Sequence, residues 1–126
     1  MRAPILAVFL SLAAIAPAQA EQLCSTYTGA KIVADDGRYL GKVSGTLDPE
    51  SILNKYGNYG SKYSSTSIWN EYGQYGGEYS GLSPFNPYAR KPPSLMQDKK
   101  VIGRLTVNKT MTGAVSPYFL QKCKYL

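Results

Sequence analysis

Few side chains in this chain of 126 residues could carry out chemistry, and the commonest kind is missing. The sequence contains no histidine, so the usual general base and the usual metal ligand are both absent. This excludes Ser-His-Asp triads, Cys-His pairs and the common zinc sites. A Ser-Lys pair or a pair of carboxylates remains, and the candidate acids are Asp35, Asp36, Asp48 and Glu50.

Backbone structure explains these carboxylates better than catalysis does. Asp36 precedes a glycine and Asp48 precedes a proline, which is typical of turns and of the start of an element. Glycoside hydrolysis needs two carboxylates facing one cleft, and nothing in the sequence sets such a spacing. Asp35 and Asp36 could also bind calcium, but the Asp-x-Asp-x-Asp-Gly loop is missing. We therefore predict a protein that is not an enzyme, with no catalytic residues, no metal site and no cofactor.

The first twenty residues have the layout of a cleavable export signal. Met1 and Arg2 form a cationic start, residues 3–15 are almost wholly apolar, and Ala20 ends a small-residue cleavage motif. The apolar stretch is shorter than the roughly 20 residues that span a bilayer, so no transmembrane segment is predicted. We expect a signal peptide at residues 1–20 and a periplasmic or secreted product, residues 21–126, that forms a single domain.

The two cysteines of the chain, Cys24 and Cys123, lie near the two ends of the expected product. An even number of cysteines in an oxidising compartment favours a disulfide bond between them. The alternative is a pair of free thiols, but no histidine is present to support catalysis or metal binding by them. A bond closing a loop of about 100 residues contributes up to ~4.7 kcal/mol in the chain-entropy model.

A repeat of sixteen residues fills the middle of the chain, within residues 51–90. SILNKYGNYGSKYS at 51–64 recurs as SIWNEYGQYGGEYS at 67–80, and a truncated third copy, SPFNPYA, begins at Ser83. The alternative is a disordered Tyr/Gly/Ser tract of low complexity. Such a tract would scatter its asparagines and apolar pairs, whereas here they keep constant offsets.

Each copy of the repeat is predicted to begin with a capped turn. The opening serines are typical helix caps, and Gly57 and Gly73 fall where one helical turn would end in a left-handed residue. A Tyr-Gly bend and a short extended connection follow, so helix and strand should be scarce between Ser51 and Pro93.

We expect Leu53, Trp69 and Phe85 to be equivalent buried anchors. The tyrosines of the repeat either pack in the core or form an exposed surface suited to sugar faces, peptide strands or bases. Core packing is favoured for Tyr56, Tyr72 and Tyr88, which share one offset of the repeat.

Two segments that flank the repeat match each other in residue type. Residues 36–44 and 98–106 both run acid, any residue, base, two apolar residues, glycine, base, apolar residue and hydroxyl, and each predicts a strand. Residues 31–34 should pair with the first segment through a turn at 35–37, and a turn at Asn108 should return the chain beside the second. The fold class predicted is mainly β: a small antiparallel sheet with the irregular, turn-rich Tyr/Gly repeat packed on it, joined by one disulfide.

The motifs LGKVS at 40–44 and DPES at 48–51, followed by the Ser-x-x-Asn-x-Tyr-Gly-x-Tyr-Gly-x-x-Tyr-Ser repeats, resemble a family of small bacterial secreted proteins with no assigned activity. The likeness covers residues 36–106. The third copy departs from the pattern, because Ala89 replaces glycine and the final Tyr-Ser is lost. The resemblance implies an exported protein and supplies no catalytic residues.

Positive charge is concentrated at the C-terminal end. Residues 21–89 hold five basic and seven acidic side chains, a net charge of −2, whereas residues 90–126 hold eight and one, a net charge of +7. Charge clustered in one third of a domain gives a directional field. The binding residues predicted from it are Arg90, Lys91, Lys99, Lys100, Arg104 and Lys109. Strand alternation predicts that Lys100 and Arg104 share one exposed face. The alternative is that these cations only keep the surface soluble or block edge pairing.

Three functions follow from these patterns, in decreasing order of support. The first is a non-catalytic exported module that binds an anionic envelope polymer or protein through the basic third. The second is a structural protein that self-assembles through its tyrosine repeats, and an ordered repeat would favour the first over the second. The third, binding of single-stranded nucleic acid, fits the basic and aromatic residues but is disfavoured by the export signal. The sequence does not predict an oligomeric state.

Overall fold

The computed structural model describes residues 17–125, and their strands form one five-stranded mixed sheet. In chain order the elements are helix α1 (Pro17–Tyr27), strands β1 (Lys31–Val33), β2 (Tyr39–Lys42), β3 (Ser94–Gln97), β4 (Lys100–Leu105) and β5 (Ala114–Val115), helix α2 (Pro117–Lys122) and a 3₁₀ helix (Cys123–Tyr125). The strand order is β2-β1-β3-β4-β5. All neighbours are antiparallel except β4 and β5, which are parallel.

The predicted hairpin at the first turn is present, and after the second turn the chain returns beside β4 as predicted, but not in the antiparallel direction expected. β1 and β2 pair antiparallel around Gly37, whose positive φ of 89° suits glycine. After β4, two successive turns, at 108–111 and 111–114, reverse the chain twice. β5 therefore runs parallel to β4, and the sheet is mixed where an antiparallel one was predicted.

The predicted disulfide between Cys24 and Cys123 is confirmed. It joins α1 to the 3₁₀ helix, with the two Cα atoms 5.7 Å apart. Such a bond is typical of proteins in an oxidising compartment outside the cytosol. Residues 1–16, most of the predicted signal peptide, lie outside the described residues, and α1 spans the expected cleavage position after Ala20. Within residues 17–125 no helix has the length and apolar character needed to cross a bilayer.

The repeat segment is a continuous run of hydrogen-bonded turns. From Asp48 to Ala89, backbone N–H groups donate to the carbonyl three residues earlier at regular steps along the chain. The steps are three residues long except at Gly57 and Gly73, whose carbonyls each accept from two successive N–H groups. Four steps of three residues and one of four make up the sixteen-residue period. Residues 52–93, all of which the structure describes, contain no helix or strand, in line with the prediction.

Serine and asparagine side chains at the starts of these turns bind the backbone. The hydroxyl of Ser67 accepts from the N–H of Trp69 (3.1 Å), and Oδ1 of Asn70 accepts from the N–H of Tyr72 (3.1 Å). Nδ2 of Asn70 donates to the carbonyl of Ser64 (3.1 Å). The same bonds are made in the other copies by Ser51, Ser83, Asn54 and Asn86. These side chains pair backbone groups that would otherwise lack partners in a segment without regular structure.

The predicted capped turn at the start of each copy is present, but two details of the predicted turns are wrong. The run of turns leaves no extended connection. Gly57 and Gly73 are not left-handed. Glycine is required at a different position of the repeat, where the backbone packs closely against itself. A Cβ atom on Gly76 would collide with the backbone carbonyls of Ile68 and Asn70.

The core draws on both the sheet and the turns. Its buried members are Ala30, Ile32, Ala34, Leu40, Val43, Ile52, Ile68, Tyr75, Leu95, Leu105, Val115 and Leu120. The run of turns is also hydrogen bonded to the rest of the chain at both its ends. The N–H of Ile52 donates to the carbonyl of Lys42 (2.9 Å) at the end of β2, and the N–H of Val107 donates to the carbonyl of Pro84 (2.8 Å) just after β4.

Candidate binding clefts

Five tyrosines of the repeat lie on the protein surface. Tyr56, Tyr72 and Tyr88, which were predicted to be core residues, are 86%, 91% and 89% exposed, so that prediction is wrong. Tyr63 and Tyr79 are also exposed. The reason is their place in the turn. The turns that begin at Asn54, Asn70 and Asn86 lie on the solvent side, whereas the residue that follows each buried serine, Ile52, Ile68 or Pro84, faces the core.

The predicted anchors two residues after each serine are half-buried and form a row of walls between the turns. The indole N–H of Trp69 donates to the carbonyl of Ile52 (2.7 Å), which locks the ring between the first and second copies. The rings of Trp69 and Phe85 lie 5.6 Å apart, and Phe85 makes an edge contact at 5.3 Å with Tyr118 of α2. Leu53 is the equivalent residue of the first copy and is also half-buried. The prediction that this position is fully buried is therefore wrong.

Two open clefts lie on either side of Trp69. The first, of about 790 Å³, we call the lysine cleft; it is lined by Ile52, Leu53, Lys55, Tyr56, Gly60, Ser61, Lys62, Tyr63, Trp69, Gln121 and Lys124. The second, of about 730 Å³, we call the glutamate cleft; it is lined by Ile68, Trp69, Glu71, Tyr72, Gly73, Gly76, Gly77, Glu78, Tyr79, Ser80, Phe85, Tyr118 and Gln121. Both volumes fall within the range of ligand pockets.

The two clefts are related by the repeat. Every lining residue of the lysine cleft between positions 52 and 69 has its equivalent, sixteen residues later, in the lining of the glutamate cleft. Two tyrosines stand in each cleft, Tyr56 and Tyr63 in the first and Tyr72 and Tyr79 in the second. An aromatic residue of the next copy, Trp69 or Phe85, completes each cleft.

The repeat-related clefts carry opposite charges. Lys55 and Lys62 are replaced at the equivalent positions by Glu71 and Glu78, and all four side chains are exposed. The ammonium groups of Lys55 and Lys62 lie 5.3 Å and 5.6 Å from the ring centroids of the tyrosines that follow them. Lys42 and Asp48 form an ion pair (3.3 Å), whereas these four exposed charges have no ionic partner among the described residues.

Sequence reasoning missed these charged residues as a site. The signal was visible in the aligned copies, because the two lysines and the two glutamates occupy the same offsets of the repeat. Only the fold showed that both offsets border one cleft together with the tyrosines.

The structure does not bring the six predicted binding residues into one patch. Lys99 and Lys100 lie at the turn between β3 and β4, where Asp98 and Lys99 have positive φ angles of 51° and 67°. Arg90 and Lys91 precede β3, and Lys109 follows β4, so these three connect to the opposite end of the hairpin. Four strand residues separate the two ends by ~13 Å.

Arg104 is engaged within the sheet and does not share a face with Lys100. Its guanidinium donates to the hydroxyl of Ser94 (2.8 Å). Arg104 pairs with Ser94 and Lys100 pairs with Gln97, three residues apart on β3, which places the two cations on different faces. A one-residue bulge at Ile102 breaks the alternation that predicted a shared face.

Three of the four candidate carboxylates of the sequence, Asp36, Asp48 and Glu50, serve structural hydrogen bonds. Asp36 accepts from the hydroxyl of Tyr75 (2.7 Å), and this bond lowers the pKa of Asp36 below its ordinary value. The backbone N–H of Glu50 bonds Asp48 (2.9 Å) and lowers the pKa of its carboxyl. Glu50 accepts from the hydroxyl of Tyr39 (2.6 Å). Among the described residues no cluster of three or more acids or cysteines could hold a metal ion.

No family model matches the chain, and no curated protein or solved structure is significantly similar to it. The resemblance to small secreted bacterial proteins stays a prediction from the motifs of the sequence, and the function has to be argued from the clefts.

Proposed function

We propose that this protein is a non-catalytic binding module, exported to the periplasm or beyond, that holds an anionic polysaccharide in its lysine cleft. In this proposal the three repeats form a layer packed on one face of the sheet, with five of their tyrosines outward: Tyr56, Tyr63, Tyr72, Tyr79 and Tyr88. The observation that carries the proposal is the joint placement of Lys55, Lys62 and Lys124 with exposed tyrosine rings around one cleft.

The chemistry of the lysine cleft suits an acidic sugar chain. The rings of Tyr56 and Tyr63 offer flat apolar surfaces with polar tips, which match the faces and hydroxyl groups of sugar rings. The lysines supply positive charge for carboxylate or sulfate groups, and Lys55 and Lys62 lie next to the rings. Trp69 forms a wall that its bond to Ile52 holds in place, so little ordering is needed when a ligand binds.

Rigidity of the repeat favours binding over disordered assembly. Its backbone is hydrogen bonded at each turn, and its serines and asparagines fix the corners. The basic residues at the β3–β4 turn, Lys99 and Lys100, contribute in this proposal a long-range field that attracts the same polyanion. Neither cleft is lined by the other predicted cations, which are Arg90, Lys91, Arg104 and Lys109. In this proposal they add to the same long-range field and do not contact the ligand.

The test is binding of the purified protein to polygalacturonate, measured by calorimetry, with neutral dextran as the control polymer. Wild type should bind polygalacturonate, and binding should weaken steeply above ~0.15 M salt, where the Debye length falls to ~8 Å. Lys55→Glu with Lys62→Glu should weaken binding about tenfold or more. The matched variant, Lys99→Glu with Lys100→Glu, changes the charge equally and should cost much less.

Three outcomes would contradict the proposal. Equal losses in the two double variants would show that net charge alone matters. A larger loss of affinity in the Lys99 and Lys100 variant would show that the polymer binds at the basic third of the chain and not at the lysine cleft. Equal binding of polyglutamate and polygalacturonate would show that the sugar ring is not recognised.

A further inference from the structure

We infer that the glutamate cleft is a docking site for the lysine cleft of a second copy of this chain, so that copies associate head to tail. The inference does not depend on the polysaccharide proposed above. It rests on the geometric equivalence of the two clefts and on the reversal of charge between them.

The charges of the two clefts match in position as well as in sign. Lys55 and Lys62 are seven residues apart in the first copy, and Glu71 and Glu78 are seven residues apart in the second. Both pairs sit on the same series of turns, because the hydrogen bonds of the copies repeat every sixteen residues. The two ammonium groups therefore project from a framework that has the same spacing as that of the two carboxylates. Two ion pairs can form when one cleft faces the other.

The surroundings of these charges are those of a protein interface. Tyr56, Tyr63, Tyr72 and Tyr79 are between 82% and 91% exposed, and tyrosine is enriched in interfaces and in their energetic centres. The charged groups have no ionic partner within the described chain, so docking would break no internal ion pair.

The position of the two clefts sets the symmetry of the association. They share Trp69 and Gln121 but open on either side of them, so one molecule carries both halves of the interface. Contacts between two different surfaces are heterologous, and they generate rings or filaments depending on whether the rotation closes. A polyanion bound in the lysine cleft would occupy one half of the interface and would limit the association.

Sedimentation velocity at low salt, without any polymer, tests this inference with two charge-reversed variants. The acidic variant carries Lys55→Glu and Lys62→Glu, and the basic variant carries Glu71→Lys and Glu78→Lys. Wild type should sediment faster as its concentration rises, whereas each variant alone should have an association constant about tenfold or more lower, because its two clefts repel. An equimolar mixture of the two variants should associate again, since acidic clefts then meet basic clefts.

This design separates docking from net charge. The formal charge of +6 falls to +2 in the acidic variant and rises to +10 in the basic one. If general repulsion governed association, the acidic variant would associate more strongly than wild type. The inference predicts that it associates less.

Several results would overturn the inference: a wild type that stays monomeric at all concentrations, an acidic variant that self-associates, or a mixture that remains monomeric. All four positions are exposed, so both variants should keep the melting temperature of wild type. If either variant fails to fold, Tyr72→Ser with Tyr79→Ser should reduce wild-type association without altering charge, and unchanged association would then refute the inference. Polygalacturonate is absent, so failure here leaves the proposed function separately testable.

Discussion

The hydroxyl of Tyr75 donates a hydrogen bond of 2.7 Å to the carboxylate of Asp36, which lies 39 residues earlier in the chain. This bond ties the second copy of the repeat to the turn between β1 and β2. Tyr75 is the one tyrosine of its copy that is buried, at 5% exposed. The segment that lines the clefts is therefore held to the sheet region by the side-chain bond between Tyr75 and Asp36 as well as by backbone hydrogen bonds such as that of Ile52 to Lys42.

The bond between Tyr75 and Asp36 should make stability fall at both ends of the pH scale. It lowers the pKa of Asp36, so the stability from the ionised carboxylate is present above pH ~4 and is lost as pH falls through the lowered pKa. The bond to Asp36, with burial, raises the pKa of Tyr75, so stability from the neutral phenol is present below pH ~10 and is lost as pH rises further.

Tyr75→Phe tests this pH dependence, with urea unfolding measured from pH 2 to 11. The variant should be less stable than wild type near pH 7, and the difference should shrink at both extremes. Asp48, whose pKa is also lowered, leaves part of the acid sensitivity intact in the variant. A constant difference between the two proteins at every pH would contradict the account.

Glycine at position 76 should be indispensable for steric reasons. Gly76→Ala places a Cβ atom against the carbonyls of Ile68 and Asn70, and such overpacking costs ~1 to 3 kcal/mol of unfolding free energy. Gly81→Ala is the matched control, since it has open space around it and no positive φ, and should be neutral or slightly stabilising. Equal effects in chemical unfolding would show that the turns do not pack as described.

Ile68 and Tyr72 should differ sharply in their contribution to stability. Ile68 is fully buried, and Ile68→Ala should lower the unfolding free energy by ~2 to 5 kcal/mol. Tyr72 is 91% exposed, and Tyr72→Ala should change it by less than ~0.5 kcal/mol. The measurement is denaturant unfolding of both variants. A large loss for Tyr72→Ala would restore its predicted place in the core.

The sixteen-residue register was readable from the sequence, but the direction in which its side chains point was not. In an amphipathic helix or strand, the apolar residues recur with a period of 3.6 or 2, which shows which face is buried. The apolar residues of this segment follow neither period. In this segment a new hydrogen-bonded turn begins every three residues, for example at Ser51, Asn54 and Gly57. In this arrangement the residue after each repeat-opening serine faces inward. Without knowledge of this arrangement, Tyr72 and Ile68 could not be told apart as exposed and buried.

The disulfide and the first hairpin were predictable because their signals are local or depend on a count. Two cysteines leave one intramolecular pairing, and Asp35-Asp36-Gly37 is a turn motif. The parallel pairing of β5 and the bulge at Ile102 depend on contacts across the sheet, which the sequence pattern does not encode. The bulge places Lys100 and Arg104 on different faces of the strand. The clefts were not predictable either, because each is lined by residues from several separate positions of the repeat.

Trp69 allows the most direct test of the claim that ligands bind at the clefts. It is the only tryptophan of the chain, lies in the lining of both clefts, and gives a single indole N–H resonance through the group that donates to Ile52. The resonance should be followed by NMR while polygalacturonate is added to dilute protein in which Tyr72→Ser and Tyr79→Ser suppress self-association without altering the charge of either cleft. The Trp69 indole and the amides of residues 52–63 should shift in a saturable way. An unchanged indole resonance, with shifts confined to the amides around Lys99 and Lys100, would contradict this claim.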